Sequence, residues 1–167
     1  MAFLTSSRFG MPFLAAGQAQ KELTHNEALA LVDAALHAAV ESAGLDEPPS
    51  APLPGQCWIV GPAPSGAWAG QPHALACWTE SGWRFVPAVE GMCVWRKDEQ
   101  LWAERRSGAW VVGEARASEL VIGGAQVVGA RKAAVALSGG GAVIDAEARA
   151  AIASIIDRLV AHGLIAG

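Results

Sequence analysis

The first third of the chain has apolar residues three and four positions apart, a spacing that places them on one face of a helix. These residues are Leu29, Val32, Leu36 and Val40. Thr24 and Glu27 have the spacing of a capping box, in which each side chain satisfies the other residue's backbone N–H. Gly44 is suited to a left-handed stop. We therefore predict a helix over about 25–43 that starts at Thr24.

The middle of the chain, 55–114, alternates short apolar runs with turn residues. Six runs are rich in Val, Ile, Trp or Phe and are separated by Gly, Pro, Ser or Asp, a pattern typical of antiparallel strands. We predict an antiparallel meander or a small barrel. The runs are 56–61, 73–79, 83–88, 91–97, 100–106 and 109–113.

All seven tryptophans lie in this middle segment. A two-residue turn at 80–81 and another at 98–99 would each oppose two tryptophans across a hairpin. Such aromatic pairs contribute about 0.5 to 1.5 kcal/mol beyond area burial, so we expect them to stabilise the hairpins. The predicted pairs are Trp78 with Trp83, and Trp95 with Trp102.

The tetrapeptide SGAW occurs at 65–68 and 107–110, and the related SGW at 81–83. The recurrence predicts a repeated turn-then-strand unit with glycine in the left-handed position. Trp68, however, lies in a Gly- and Pro-rich loop without alternation around it. We therefore predict that Trp68 is the tryptophan most exposed to solvent.

The last third has strand-like apolar runs broken by glycine over 120–143, followed by a helical pattern. Asp145 is a natural N-cap, and Glu147 suits the positive end of the helix dipole. We predict a helix over about 146–162, ended by Gly163. Its apolar stripe has the four-three-four spacing of a coiled-coil seam. The stripe consists of Ala148, Ile152, Ile155 and Leu159.

These elements predict an α+β fold with an N-terminal helix, a Trp-rich antiparallel β-meander or small barrel, and a C-terminal amphipathic helix. The length of 167 residues is that of one ordinary domain with appendages. We divide the chain into four segments. They are an N-terminal helical docking and oligomerisation segment (1–46), a Pro-rich linker (47–54), the Trp-rich β-module (55–137), and a Gly-rich joint with the C-terminal helix (138–167).

The composition is that of a folded chain, with 52% hydrophobic and 17% charged residues. The net charge of −4 includes no basic cluster, so nucleic acid is not expected as a partner. No apolar run approaches the roughly 20 residues of a membrane span, so we expect no membrane insertion. The apolar N-terminus is interrupted by Ser6, Arg8 and Gly10, which argues against a secretion signal.

The three cysteines are an odd number without C-x-x-C spacing, which fits neither a disulfide framework nor a zinc site. We predict buried free thiols and synthesis in a reducing cytoplasm. The cysteines are Cys57, Cys77 and Cys93.

No arrangement of residues predicts an enzyme, a metal site or a cofactor. The histidines, at 25, 37, 73 and 162, have no accompanying nucleophile motif such as G-x-S-x-G. Carboxylates in the Trp-rich segment could in principle hydrolyse sugars, but Glu80, Asp98 and Glu99 fall at predicted turn tips, where charge is expected. The glycines before Asp145 lack the Lys and Ser/Thr of a phosphate loop. We expect no catalytic residues.

Two kinds of ligand- or partner-binding residue are predicted, besides the oligomerisation residues given below. Trp68 and Trp110 are the candidate glycan platforms, although any Trp of the segment could instead belong to the core. Small and amide residues before the first helix predict a docking surface, with intramolecular packing as the alternative. The docking residues are Gln18, Gln20 and Lys21.

A homo-oligomer, with a trimer favoured, is predicted from the two apolar helix stripes. Short isolated helices are marginal in water, and β-branched residues at consecutive seam positions favour three or more strands. The alternative is a monomer whose helices pack on each other or on the sheet. The predicted oligomerisation residues are Leu29, Val32, Leu36, Ile152, Ile155 and Leu159.

Five stretches together resemble an uncharacterised bacterial family found among prophage and gene-transfer-agent genes. They are MPFLAAGQAQKELTHNEAL, IVGPAPSGAWAG, GWRFVP, GARKAAV and the closing IDAEARAAIASIIDRLVAHGLIA. The resemblance covers nearly the whole chain and implies a particle component near tail fibres or head spikes, without catalytic residues to carry over.

We therefore expect a non-enzymatic protein made in the cytoplasm and assembled into a phage-like particle, where it acts in attachment to the cell surface. Its expected partners are copies of itself, other particle proteins and cell-surface polysaccharide. The competing hypothesis is a free carbohydrate-binding module or an accessory to a cell-wall-acting enzyme.

Overall fold

The computed structural model describes residues 4–17, 21–137, 139 and 145–166. The chain forms two compact units, Met1–Glu114 and Ala115–Gly167, called here the N-terminal and the C-terminal unit. Their boundary lies within 55–137, the segment predicted as the β-module, and the four-segment division stays a prediction. Within the described residues, no helix is long and apolar enough to cross a membrane.

Helix α1 spans Lys21–Ala35, which corrects both ends of the first predicted helix. Thr24 lies inside the helix and is not its N-cap. The chain leaves the helix before Leu36, and His37 adopts a left-handed backbone conformation with φ of 45°. Val40, predicted on the helical stripe, is instead fully buried in strand β1 (Ala39–Val40). The predicted helix was too long at its C-terminal end. The helical spacing of apolar residues continues past Ala35, but the segment that follows pairs with distant strands.

Two four-stranded sheets form the body of the N-terminal unit. All six predicted strand runs are confirmed, and the predicted α+β class with them. The first sheet has the order β2 (Ala43–Leu45), β3 (Cys57–Val60), β4 (Leu75–Thr79), β5 (Gly82–Val86). The second has the order β1, β6 (Cys93–Arg96), β7 (Leu101–Arg106), β8 (Ala109–Val112).

The two short strands after helix α1 are parallel edge strands. Strand β1 pairs with β6, and β2 pairs with β3, whereas all other pairs in these sheets are antiparallel. One segment of the chain thus contributes an edge to each sheet. The architecture is two three-stranded meanders, each extended by a strand from the N-terminal segment.

Both predicted tryptophan pairs are confirmed. Trp78 pairs with Trp83 across the 80–81 turn, and their ring centroids are 5.0 Å apart. Trp95 pairs with Trp102 at a centroid distance of 5.3 Å. Both contacts are edge-to-face, the arrangement that the ring quadrupole favours. The second turn covers 97–100 and closes with Gln100 in a left-handed conformation.

Strict alternation along strand β3 gives the first sheet two apolar faces. Cys57 and Ile59 belong to one hydrophobic cluster, which also contains Val94 and Ala103 of the second sheet. Trp58 and Val60 belong to another cluster on the opposite face. Because both faces are covered, this sheet lies at the centre of the N-terminal unit.

Cys57 and Cys77 form a disulfide, so the prediction of free thiols is wrong for these two residues. They are directly opposed on the antiparallel strands β3 and β4, and both are buried. The odd count of cysteines concealed this pair, because only the strand register brings the two side chains together. Cys93 has a free thiol and is exposed, so the prediction of burial is wrong there.

The C-terminal unit consists of a hairpin, an extended segment and a helix. Strands β9 (Leu120–Ile122) and β10 (Ala125–Val128) meet at two left-handed glycines. Helix α2 spans Ala146–Ala161, and the Asp145 side chain accepts from the Ala148 N–H at 2.8 Å, which confirms the predicted N-cap. The chain after α2 makes a parallel bridge between Ile165 and Lys132.

Candidate functional site

A buried aspartate on helix α1 fixes the N-terminal arm, defined here as residues 4–14. Asp33 is only 4% exposed although it follows Val32 on an apolar helix. Its Oδ1 accepts from Ser6 Oγ at 2.7 Å and from the Phe9 N–H at 2.7 Å, and its Oδ2 accepts from the Arg8 N–H at 2.8 Å. These three donors compensate the burial of the carboxylate.

Arg8 binds the carboxyl end of the same helix. Its Nη1 donates to the carbonyls of Asp33, Ala34 and Leu36 at 2.6 to 3.0 Å, and its Nη2 donates to the His37 carbonyl at 3.0 Å. A cation is favourable at this negative end of the helix dipole. Burial lowers the pKa of Arg8, and the Asp33 charge opposes that shift. These bonds explain why the helix ends where it does.

The THNEAL stretch joins three parts of the N-terminal unit. The Asn26 side chain accepts from the Leu14 N–H at 2.9 Å and donates to the Leu14 carbonyl at 3.0 Å. On the next residue, Glu27 Oε2 forms an ion pair with Arg84 Nε of strand β5 at 2.8 Å. The most specific motif in the sequence therefore joins the arm, helix α1 and the first sheet.

These contacts surround a pocket of about 280 Å³ between the arm, helix α1 and the turn that joins β4 to β5. Its ionisable lining residues are Glu22, Glu27, Asp33, Glu80 and Arg84. Its apolar wall consists of Leu4, Phe13, Leu23 and Ala30. The remaining lining residues are Asn26 and the hydroxyl-bearing residues of the arm and of the turn. The pocket thus combines an acidic side with an apolar one.

Glu22 has one oxygen that lacks a partner. Its Oε1 accepts from the Gly17 N–H at 3.3 Å, whereas Oε2 is shielded from solvent and receives no hydrogen bond from the residues that the structure describes. Buried acceptors are nearly always bonded, and an orphaned one is costly. Glu22 was not predicted from the sequence. The signal that could have indicated it is a run of polar residues in the first turns of the helix, together with a charged residue on its apolar stripe.

Trp68 is fully buried, so the prediction that it is the exposed tryptophan is wrong. It ends a 3-10 turn, Gly66–Trp68, and not a turn-then-strand unit. Asp46 anchors this loop: its Oδ1 accepts from the Ala63 N–H at 2.9 Å and its carbonyl from the Ser65 N–H at 2.8 Å. The loop folds the indole onto the outer face of the first sheet.

Four tryptophans form a cluster on that outer face. Trp68 lies 5.2 Å from Trp83 and 6.4 Å from Trp58, measured between ring centroids, and Trp58 lies 5.6 Å from Trp83. Trp78 contacts the cluster through Trp83. The tetrapeptide that ends at Trp68 has the sequence of a turn followed by a strand. The indole is buried nevertheless, because it makes more apolar contact in the cluster than it would in an exposed loop.

Trp110, the second predicted glycan platform, is half-buried. Its Nε1 donates to the His73 carbonyl at 3.0 Å, and the Arg105 guanidinium lies 6.0 Å from its ring centroid. The most exposed large aromatic ring among the described residues is instead that of Trp102, at 56%. Glycan binding by Trp110 stays a prediction.

The predicted oligomerisation residues are divided between the two units. Val32 and Leu36 are exposed, Leu29 is half-buried, and Leu36 follows the end of helix α1. On helix α2, Ile152 and Ile155 are exposed and Leu159 is half-buried. Of the predicted docking residues, Lys21 is exposed at the start of helix α1, while Gln18 and Gln20 lie outside the described residues.

Two carboxylates of the Trp-rich segment, Glu90 and Asp98, have partners in turns. Asp98 accepts two hydrogen bonds from Arg96, at 2.6 and 3.2 Å, and this hydrogen bonding lowers the pKa of Asp98. Glu90 accepts from the Ser107 N–H at 2.9 Å. Across the described part of the chain, no group of three His, Cys, Asp or Glu residues could hold a metal ion.

The family model for "Protein of unknown function (DUF2793)" matches residues 25–111. This span is just over half of the chain and includes most of helix α1 and nearly all of both four-stranded sheets. It also contains Asn26, Asp33 and Arg84, which shape the pocket. No curated protein matches the chain. The chain therefore belongs to this family of proteins of unknown function.

Proposed function

We propose that the protein is a non-enzymatic component of a phage-like or gene-transfer-agent particle, a fibre or spike that acts in attachment to the cell surface. The C-terminal unit would associate with copies of itself, with a trimer favoured. The N-terminal unit of each copy would be a rigid body that is available for attachment. One observation carries the proposal. The C-terminal unit leaves most of its large apolar residues exposed.

Among its described residues, only Ile165 is both hydrophobic and buried in this unit. Helix α2 has no buried residue, and every residue of strands β9 and β10 is exposed. Exposed apolar area of this kind is typical of interaction surfaces. The exposed large apolar residues are Leu120, Val121, Ile122, Val127, Val128, Val135, Leu137, Ile152, Ile155 and Leu164.

Helix α2 has two apolar sides that differ in burial. Ala153, Ile156 and Val160 are half-buried and lie on one side of the helix. Ile152 and Ile155 lie on another side and are 43% and 59% exposed, whereas Leu159 of the same stripe is half-buried. A helix that packed only within its own unit would need the first side alone. The second side is available for a partner copy, and its isoleucines favour a coil of three or more strands.

The N-terminal unit supports the attachment role by its construction. Its central sheet is covered on both faces and crosslinked by the Cys57–Cys77 disulfide. Disulfides persist in oxidising surroundings, which suits a protein that works outside the cell after its assembly in the cytoplasm. The similarity of the five motif stretches to prophage and gene-transfer-agent proteins supports the same proposal.

Light scattering on the purified chain tests self-association. We expect a mass near three times that of the 17.2 kDa chain, falling toward the single-chain mass when Ile152→Asp and Ile155→Asp are combined. Ser154→Asp, an exposed position away from the seam on the same helix, is the matched control and should leave the mass unchanged. A mass near 17 kDa at every concentration would contradict the proposed association.

Particle fractionation tests the particle role separately. Purified particles should contain the protein by mass spectrometry, and the Ile152→Asp, Ile155→Asp double variant should be depleted from them. Absence of the unmodified protein from purified particles would refute the structural role even if the chain forms a trimer in solution.

A free carbohydrate-binding module is the second candidate function, and the exposed Trp102 favours it. Its ring stands edge-to-face against Trp95 and is 56% exposed, so a sugar ring could stack on it. Binding to a glycan array by the purified protein, without any particle, would favour this candidate. The Trp102→Ala variant should then lose that binding. No binding on the array would exclude the glycans tested.

A further inference from the structure

The C-terminal unit contains a strand-like stretch without a partner strand, residues 133–137, called here the unpaired stretch. Its sequence is AAVAL, part of the apolar runs that the sequence predicts to be strand-like. In the structure these residues belong to no helix or strand, and all five are exposed. They form no hydrogen bond with the backbone of any residue that the structure describes. The unpaired stretch therefore has the composition of a strand but lacks a sheet.

The hairpin of β9 and β10 has open edges. It is a sheet of two strands, and neither strand pairs with a third among the described residues. Residues 120–128 contain no charged residue and no proline, the features by which proteins usually protect a sheet edge from other strands. In the N-terminal unit, by contrast, the edge strand β5 carries Arg84, which is paired with Glu27 of helix α1. Each outer edge of the hairpin is therefore able to accept a further strand.

The chain between the hairpin and the unpaired stretch is bonded to the C-terminal tail. Lys132 donates its N–H to the Leu164 carbonyl at 3.1 Å, and its carbonyl accepts from the Ala166 N–H at 2.7 Å. Arg131 Nε donates to the Ile165 carbonyl at 3.0 Å. The unpaired stretch could reach β10 of its own chain only through a turn at the residues that these bonds hold. A strand from another copy needs no such turn.

The same bonds determine which side of the unpaired stretch is free. In a strand, the N–H and the carbonyl of one residue point to the same side, and those of the next residue point to the other side. Both backbone groups of Lys132 point to the C-terminal tail. If the strand continues, those of Ala134 also point to the tail side. The backbone groups of Ala133, Val135 and Leu137 then point to the open side, where they can bond another strand.

We propose that the unpaired stretch of one copy adds as a strand to a free edge of the β9–β10 hairpin in a second copy of this chain. Main-chain hydrogen bonds would provide most of the affinity, as in other cases of strand addition. Each copy supplies both a strand and an edge, and both are apolar and uncharged, so the two are complementary. Such a head-to-tail contact closes into a ring, which has three copies in the favoured trimer. The inference rests on the proposed self-association and adds a second contact to the seam of helix α2.

Two proline variants of the full-length chain test the backbone pairing, with the mass measured by light scattering over a range of concentrations. Val135→Pro removes an N–H from the open side in every copy, so the concentration of half-dissociation should rise at least about tenfold. Ala134→Pro removes an N–H from the tail side and is the matched control, which should leave that concentration unchanged. Val135→Ala keeps the N–H and measures the effect of the side chain alone. Equal effects of the two proline variants, or of Val135→Pro and Val135→Ala, would overturn the proposal.

Engineered cysteines test whether the contact joins different copies. One chain carries Val135→Cys, and the other carries Val121→Cys on β9 or Val127→Cys on β10, so that both edges are covered. All chains carry Cys93→Ser, which removes the exposed native thiol. Oxidation of the mixed chains should give a crosslinked pair on a non-reducing gel. A crosslink that forms only within one chain, when both cysteines are placed in it, would show that the stretch folds back on its own hairpin and would overturn the proposal.

The two proposals fail in different ways. A single-chain mass at every concentration would contradict self-association and this contact with it. An oligomer that gives no mixed crosslink and is unaffected by Val135→Pro would overturn the strand contact alone and leave the seam of helix α2 standing. Protection of the 133–137 amides from hydrogen exchange in purified particles, but not in the purified oligomer, would identify another particle protein as the partner and would also overturn it.

Discussion

The two units of this protein distribute their apolar residues in opposite ways. In the N-terminal unit, Trp58, Trp68 and Leu75 are buried in clusters that cover both faces of one sheet. In the C-terminal unit, Ile152 and Ile155 remain exposed although they sit on a regular helix. A regular apolar pattern therefore forms the secondary structure in both units but forms a closed core in only one.

The difference comes from the number of layers that pack together in each unit and from the size of the side chains between them. A sheet with two apolar faces can be covered by a second sheet on one face and by a loop on the other, and large aromatic rings fill the remaining space. The C-terminal hairpin has only two strands, of three and four residues, which meet at two glycines. A hairpin of two strands buries little area by itself, which is why we expect the C-terminal unit to depend on a partner copy.

The largest expected effect is the removal of Trp68. Trp68→Ala should lower the free energy of unfolding of the N-terminal unit by about 4 kcal/mol, because it removes a fully buried indole from the tryptophan cluster. Urea unfolding followed by tryptophan fluorescence measures it. The comparison variant is Trp102→Ala, at an exposed ring, which should cost about 1 to 2 kcal/mol, because it loses the pair with Trp95 and little buried area. Equal costs would contradict the two-faced core.

Removal of the disulfide should have the next largest effect. Cys57→Ala with Cys77→Ala opens a loop of 20 residues, and the loss of that constraint on the unfolded chain costs about 3 kcal/mol. Thermal unfolding before and after reduction of the unmodified protein should show the same difference. A reducing agent that left the stability of the N-terminal unit unchanged would mean that the crosslink is absent in solution.

The smallest expected effect lies in the C-terminal unit. Asp145→Ala removes the side chain that accepts from the Ala148 N–H and should destabilise helix α2 by about 1 kcal/mol. Hydrogen exchange of α2 amides measures it, and protection should rise with protein concentration if association stabilises the helix. Asp145→Asn, which keeps an accepting oxygen, should restore most of the protection. Protection independent of concentration would weaken the contrast between the units.

Local patterns predicted the strands and their tryptophan pairs correctly. Trp78 and Trp83 meet because a short turn sets the register of a hairpin, and a register is a property of neighbouring residues. The N-cap at Asp145 is equally local, since its partner is three residues away. Local structure can be predicted from the sequence wherever the interacting groups are close together along the chain.

The candidate pocket could not be predicted in this way. Its walls come from the arm, helix α1 and the β4–β5 turn, and the ion pair between Glu27 and Arg84 joins residues 57 positions apart. The three donors that compensate the burial of Asp33 come from the arm, 24 to 27 positions away in the sequence. The THNEAL stretch can be recognised as a specific motif from the sequence, but the sequence does not show what its residues contact.

The sequence by itself determined the six central strands, the two tryptophan hairpins and helix α2 with its cap, because each depends on side-chain alternation, turn chemistry or a bond within one turn. The tertiary structure alone decided that helix α1 stops at Ala35, that Cys57 meets Cys77, and that Trp68 is buried. Those outcomes depend on which strands become neighbours and on which loop covers a sheet. The free energy that selects them comes from contacts between distant residues, and no periodicity along the chain records it.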